Sequence, residues 1–87
     1  MYTIRSTRRF EKQYTKLQKK IRDKVDKQIA FLAQNPHHPS LNTKKMQNTH
    51  LWECRVDYHF RMVFELQEKQ VIILLFVGTH EIYRKVA

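Results

Sequence analysis

The sequence predicts an α+β fold: two N-terminal helices packed on one face of a small antiparallel sheet, in the chain order β-α-α-β-β-β. Three observations carry this. Apolar residues recur with helical spacing from Phe10 to Leu32. Asn35-Pro36 ends that pattern, and the residue before a proline is pushed away from helical angles. From Leu51 onward the chain alternates with period two, the mark of strands with one covered face.

The elements follow in order. Met1 to Ile4 reads as a short first strand. Ser6 or Thr7 offers a hydroxyl that can cap a helix. Phe10, Tyr14, Leu17 and Ile21 then recur at spacings of four, three and four, and Val25, Ile29 and Leu32 continue the stripe. No Gly or Pro interrupts residues 1 to 35. A single helix of about 28 residues would span ~40 Å, more than a domain of this size can cover. A helical hairpin bending near Lys19–Arg22 is therefore expected. Residues 35 to 50 read as a connecting loop. Leu51 to Val56 sets Trp52, Cys54 and Val56 against Glu53 and Arg55, and Phe60 to Leu66 sets Phe60, Met62, Phe64 and Leu66 against Arg61, Val63 and Glu65. Asp57-Tyr58-His59 and Gln67 to Gln70 connect the hairpins. Val71 to Val77 is apolar on both faces and is expected to be the central strand.

Eighty-seven residues, 41% of them apolar, make one domain over residues 1–87 with a modest core. Seventeen Lys+Arg against eight Asp+Glu, a net charge of +9, point to a polyanionic partner. Nucleic acid is the first candidate, an acidic protein the second and an anionic membrane a distant third. Ten of the basic residues fall in the first 34 positions, which hold three acids. Cys54 is the only cysteine, so no internal disulfide forms, and a reducing compartment fits. The longest apolar run, Val71 to Val77, is seven residues. A bilayer span needs about 20. A soluble, cytoplasmic protein without a membrane partner is expected.

Glu53, Arg55, Arg61 and Glu65 share the polar face of the predicted sheet. An arginine there is commonly a cross-strand ion-pair partner. His80, which can move protons near neutral pH, follows the only glycine, Gly78, by two residues, and Tyr83 comes three later. Arg61, His80 and Tyr83 could thus form one small site. His37-His38 is a sequential pair without helical spacing, and no CxxC or HExxH accompanies it, so no metal and no cofactor is expected. Cys54 lies on the apolar face of its strand and is a poor candidate nucleophile. No Gly-rich loop is present to cradle a nucleotide.

The segments HPSLNTKKM, LWECRVDYHFRMVFEL and VIILLFVGTHEIYRKV resemble the RelE/ParE toxin superfamily of type II toxin–antitoxin systems, on its RelE and YafQ side. The most telling pieces are Arg-Val-x(4)-Arg, with Arg55 and Arg61, and Gly-x-His-x-x-Tyr, with His80 and Tyr83. The resemblance covers nearly the whole chain. It implies a concave basic sheet surface and a metal-independent endoribonuclease that cuts messenger RNA on the ribosome. The ribose 2′-OH would attack the adjacent phosphate and leave a 2′,3′-cyclic phosphate.

By the same resemblance Arg61 matches the phosphate-stabilising arginine, His80 a proton donor and Tyr83 an aromatic that orients or stacks on the substrate. Lys44, Lys45 and Arg55 match basic RNA-contacting positions, with His59 as an assisting group. Glu53 stands where a basic residue is expected: either it acts as the general base, or its presence weakens the site. The implied partners are the ribosome with its mRNA and a cognate, acidic antitoxin. The alternatives within the superfamily are a ParE-type gyrase inhibitor that cuts no RNA, and a degenerate relative that only binds antitoxin.

Overall fold

The computed structural model describes residues 1–79; residues 80–87 lie outside the described residues, and with them His80 and Tyr83. Strand β1 (Thr3–Ser6) leads into helix α1 (Arg8–Thr15) and helix α2 (Lys19–Gln34). A 3₁₀ turn at Pro39–Leu41 and a two-residue strand β2 (Lys44–Lys45) interrupt the loop that follows. Strands β3 (Leu51–Arg55), β4 (Phe60–Gln67) and β5 (Val71–Thr79) complete the sheet. Its order is β1-β5-β4-β3-β2.

The α+β class and the two-helix layer match the expectation. Four details differ, the first being the extra strand β2 inside the expected loop, which brings the sheet to five strands among the described residues. The sheet is mixed, because β1 runs parallel to β5 while the other pairings are antiparallel. The strand at the middle of the order is β4; β5, expected there, lies one place toward the edge and is covered by β1 only from Val71 to Leu74. The helical bend falls at residues 16–18, just before the expected place. Arg22 Nη1 donates to the Leu17 carbonyl at 2.6 Å, satisfying an acceptor that the break exposes.

Local chemistry explains the helix ends. Thr7 caps α1, its Oγ1 accepting from the Phe10 N–H at 3.1 Å, and its own N–H donates to the Leu74 carbonyl at 3.1 Å. One residue thus ends the helix and ties it to β5. Asn35 closes α2 in extended geometry ahead of Pro36. β5 runs on past β1, and the Val77 N–H, left without a strand partner there, is met by Gln13 Oε1 of α1 at 2.9 Å. A side-chain amide thereby does the work of a missing neighbouring strand.

The core lies between the helices and one sheet face. Phe10, Val25, Leu32, Leu41, Cys54, Met62, Phe64, Ile72, Leu74 and Val77 are buried there. Gln28 is buried among them, and its Nε2 donates to the carbonyls of Ser40 (3.1 Å) and Arg55 (2.7 Å). The amide pins α2 to the end of β3, which carries a candidate site residue.

A bulge in β5 sets the other face. Val63 pairs with Phe76 and Phe64 with Leu74, so Leu75 has no partner across the ladder. An extra residue shifts the alternation by one. Leu74 and Val77 therefore both enter the core, while half-buried Phe76 and buried Gly78 fall on the opposite face, beside buried Val63 and half-buried Arg61.

Candidate nucleic-acid interface

On the open face β3, β4 and β5 bring Arg55, Arg61 and Gly78 into one row. The next row holds Lys44, Glu53, Val63 and Phe76. Arg55 and Arg61 are direct cross-strand partners, and like charges so placed repel. A cavity of about 150 Å³ opens over them, lined by Asn42, Lys44, Glu53, Cys54, Arg55 and Arg61. Gly78 adds no side chain to the sheet beside Arg61 and is itself buried.

Arg61 is held from below. Its Nη1 donates to the carbonyls of Asp57 at 2.6 Å and Phe60 at 3.0 Å, with Tyr58 more distant at 3.4 Å. That nitrogen anchors the guanidinium to the β3–β4 turn and leaves Nε and Nη2 for another acceptor. The turn is organised by Asp57, whose Oδ1 accepts from the N–H groups of His59 and Phe60, both at 2.9 Å. Lys24 of α2 meets its Oδ2 at 3.3 Å. Partial burial pushes the Asp57 carboxyl up, but the two N–H groups and the Lys24 ammonium outweigh it and hold its pKa below the ordinary value. Asp57 was not singled out in the sequence as a functional residue. The signal was present, an aspartate opening a three-residue turn between two strands.

The structure brings Lys44, Glu53, Arg55 and Arg61 together around one cavity. Lys45 lies apart, lining a shallow surface over the β2–β3 turn with Gln47 and His50. His59 is exposed on the β3–β4 turn, its ring edge-on to Tyr58 at 4.9 Å. His80 and Tyr83 lie outside the described residues. Asn42 joins the cavity in left-handed conformation (φ 48°), a geometry asparagine tolerates. Nothing in its surroundings in the sequence marked it. Burial pushes the Cys54 thiol up to about 12, which leaves it a packing residue and no nucleophile.

The electrostatics are one-sided. Among the described residues the ion pairs are Lys19–Asp23, Lys24–Asp57 and His50–Glu65, and no arginine has a carboxylate within 4 Å. Glu53 also has no cation that close among the described residues. The same residues contain no grouping of three His, Cys, Asp or Glu side chains able to hold a metal ion, and no helix long and apolar enough to cross a membrane.

A sheet with two helices on one face is a fold shared with several solved toxins. The toxin of the intact E. coli RelBE toxin–antitoxin complex superposes with a TM-score of 0.75 at 17% identity, covering 91% of this chain and 96% of that one. The Pyrococcus horikoshii OT3 RelE–RelB complex gives 0.78 at 17% identity over 90% and 93%. YafQ from E. coli BL21(DE3) gives 0.78 at 16% identity over 95% and 98%. These identities establish a shared fold. No curated protein matches in sequence. The ParE-like toxin domain matches residues 19–85. The chain belongs to that family, the RelE/ParE toxins of toxin–antitoxin systems.

Proposed function

We propose that the chain is an endoribonuclease toxin that cuts messenger RNA on the ribosome without a metal ion, and that an acidic antitoxin restrains it. The observation that carries this is the Arg55–Arg61 pair over one cavity with Lys44 and Glu53, unneutralised among the described residues. Repulsion between directly opposed cations costs folding energy, and a bound phosphate would relieve it.

The chemistry follows from the side chains. Glu53 takes the proton of a ribose 2′-OH. The 2′-oxygen bonds to the adjacent phosphorus, and the P–O5′ bond breaks. His80, two residues beyond Gly78 in the chain, gives a proton to the leaving 5′-oxygen. Arg61 stabilises the negative phosphorane with its free N–H groups, and Tyr83 orients the substrate. The products are a 2′,3′-cyclic phosphate and a 5′-hydroxyl. Glu53 and Arg61 are diagonal neighbours on β3 and β4, about 7–8 Å apart at Cα, so a phosphate and its ribose fit between them. Lys44, Lys45, Arg55 and His59 supply further RNA contacts. The cavity, about 150 Å³, is too small to hold a strand by itself, so the ribosome supplies orientation. That can be worth roughly 7–11 kcal/mol. An antitoxin partner is supported by the RelBE and RelE–RelB complexes among the structural neighbours and by the charge of +9.

The ParE-like family match also favours a non-enzymatic gyrase inhibitor as the second reading. Primer extension on mRNA from induced cells separates the two. Discrete new 5′ ends with arrested translation, lost in Arg61→Ala, are expected. Continued protein synthesis with a DNA-damage response would overturn the nuclease reading.

A further inference from the structure

Arg9 and Phe76 lie outside the cavity just described and have no part in that chemistry. Phe76 is the one aromatic that the β5 bulge turns onto the open face, and it is absent from the hydrophobic core. The Arg9 guanidinium lies over its ring, with Cζ 5.0 Å from the centroid. Arg9 is exposed and has no carboxylate within 4 Å among the described residues. It is also poorly placed for the helix that carries it. Arg8 and Arg9 begin α1, at the end where the helix dipole disfavours a cation. The ring holds the guanidinium by a cation–π contact, and the exposure of Arg9 leaves it open to a ligand.

We propose that Arg9 and Phe76 form a stacking subsite for one unpaired RNA base beside the Arg61 cavity. Planar guanidinium groups and aromatic rings are the surfaces on which single-stranded bases stack. The position suits that role. Phe76 is two residues from Gly78 on the same face, about 7 Å along the strand, and Gly78 is the direct partner of Arg61. A base held on Arg9 therefore belongs to a nucleotide adjoining the phosphate at Arg61. The subsite rests on the RNA reading above and extends it, since stacking fixes which way the strand runs across the sheet.

The test uses a 2′-O-methyl RNA hexanucleotide, which cannot be cleaved because it lacks a free 2′-OH, with 2-aminopurine placed at each position in turn. Binding is followed at low salt by anisotropy, and stacking by quenching of the 2-aminopurine. The wild type should quench one position strongly. Arg9→Lys keeps the charge and removes the plane, and Phe76→Leu removes the ring beneath it. Both should lose that quench and weaken binding by about 5- to 150-fold, the range for one base–aromatic stack. Thermal melting confirms that Phe76→Leu is folded. Arg8→Lys is the control and should behave as the wild type.

An Arg9→Lys protein that binds and quenches like the wild type would overturn the subsite and leave the nuclease reading standing. Failure of the wild type to bind the RNA would overturn the subsite, while the nuclease reading, in which the ribosome supplies orientation, stands or falls on primer extension. Equal binding to RNA but weakened binding to a polyglutamate peptide in Arg9→Lys would assign the pair to a protein partner instead, and also overturns the proposal.

Discussion

Replacing Arg61 by alanine tests both the site and the turn that holds it. From the sequence alone the change looks neutral for the fold, because Arg61 lies on the face opposite Met62 and Phe64. The structure adds a cost. Arg61 Nη1 makes hydrogen bonds to Asp57 O and Phe60 O at 2.6 and 3.0 Å, each worth about 0.5–1.5 kcal/mol net. Relief of the repulsion with Arg55 returns about 0.2–1 kcal/mol. A net loss of about 1–2 kcal/mol lowers the melting temperature of a domain this size by about 4–15 °C. The loss of transition-state stabilisation should be larger, about 2.7–4 kcal/mol or 10²–10³ in rate, by comparison with deleting one oxyanion donor. Thermal denaturation by circular dichroism reads the first quantity. Cleavage of ribosome-bound mRNA, assayed well below the variant's melting point, reads the second. Arg61→Lys keeps the charge without the fork and should recover more stability than activity. A folded Arg61→Ala protein that cleaves within tenfold of the wild-type rate would refute the assignment of Arg61.

Three further outcomes are expected. Asp57→Ala should cost about 1–3 kcal/mol at pH 7, measured by urea denaturation. Because the folded pKa of Asp57 is lowered, its contribution is complete above the ordinary aspartate value and is lost as pH falls through the folded one. The gap between wild type and variant should therefore close in acid, and an equal gap at pH 7 and pH 2.5 would contradict this. Lys69 and Gln70 of the β4–β5 turn have positive φ (64° and 59°), so Lys69→Gly should stabilise the protein by about 1 kcal/mol in the same assay. The buried Cys54 thiol should react with Ellman's reagent only as fast as the protein opens; rapid labelling of native protein would show that β3 is not packed as described.

Much of this fold was legible because it rests on local periodicity. The Phe10–Tyr14–Leu17–Ile21 stripe, the Asn35-Pro36 stop and the alternation around Cys54, Met62 and Phe64 each report burial by position in the chain. What escaped was non-local. Nothing in Thr3–Ser6 states that it runs parallel to residues 71–74, and β2 is too short to carry a pattern. The bulge at Leu75 was hidden because every neighbour is apolar, so a one-residue phase shift leaves no trace in hydropathy. That shift decides which face Phe76 occupies. For the site, charge and alternation were enough to put Glu53, Arg55 and Arg61 on one face, and family resemblance added Lys44. The bond from Arg61 to its own turn and the Arg9–Phe76 contact depend on rotamers and on a helix crossing the sheet edge, and composition carries neither.

The parallel pairing of β1 with β5 governs when the molecule can exist in its finished form. Thr7, the cap of α1, bonds to Leu74, and Thr3–Ser6 find their partners only in residues 71–74. A nascent chain therefore cannot complete its sheet until β5 has left the ribosome. Until then the first strand stays an open edge, and the bulge that turns Phe76 outward has not formed. Pairing between segments so far apart in the chain is slower than forming local contacts. The first strand of the chain is thus among the last to be paired.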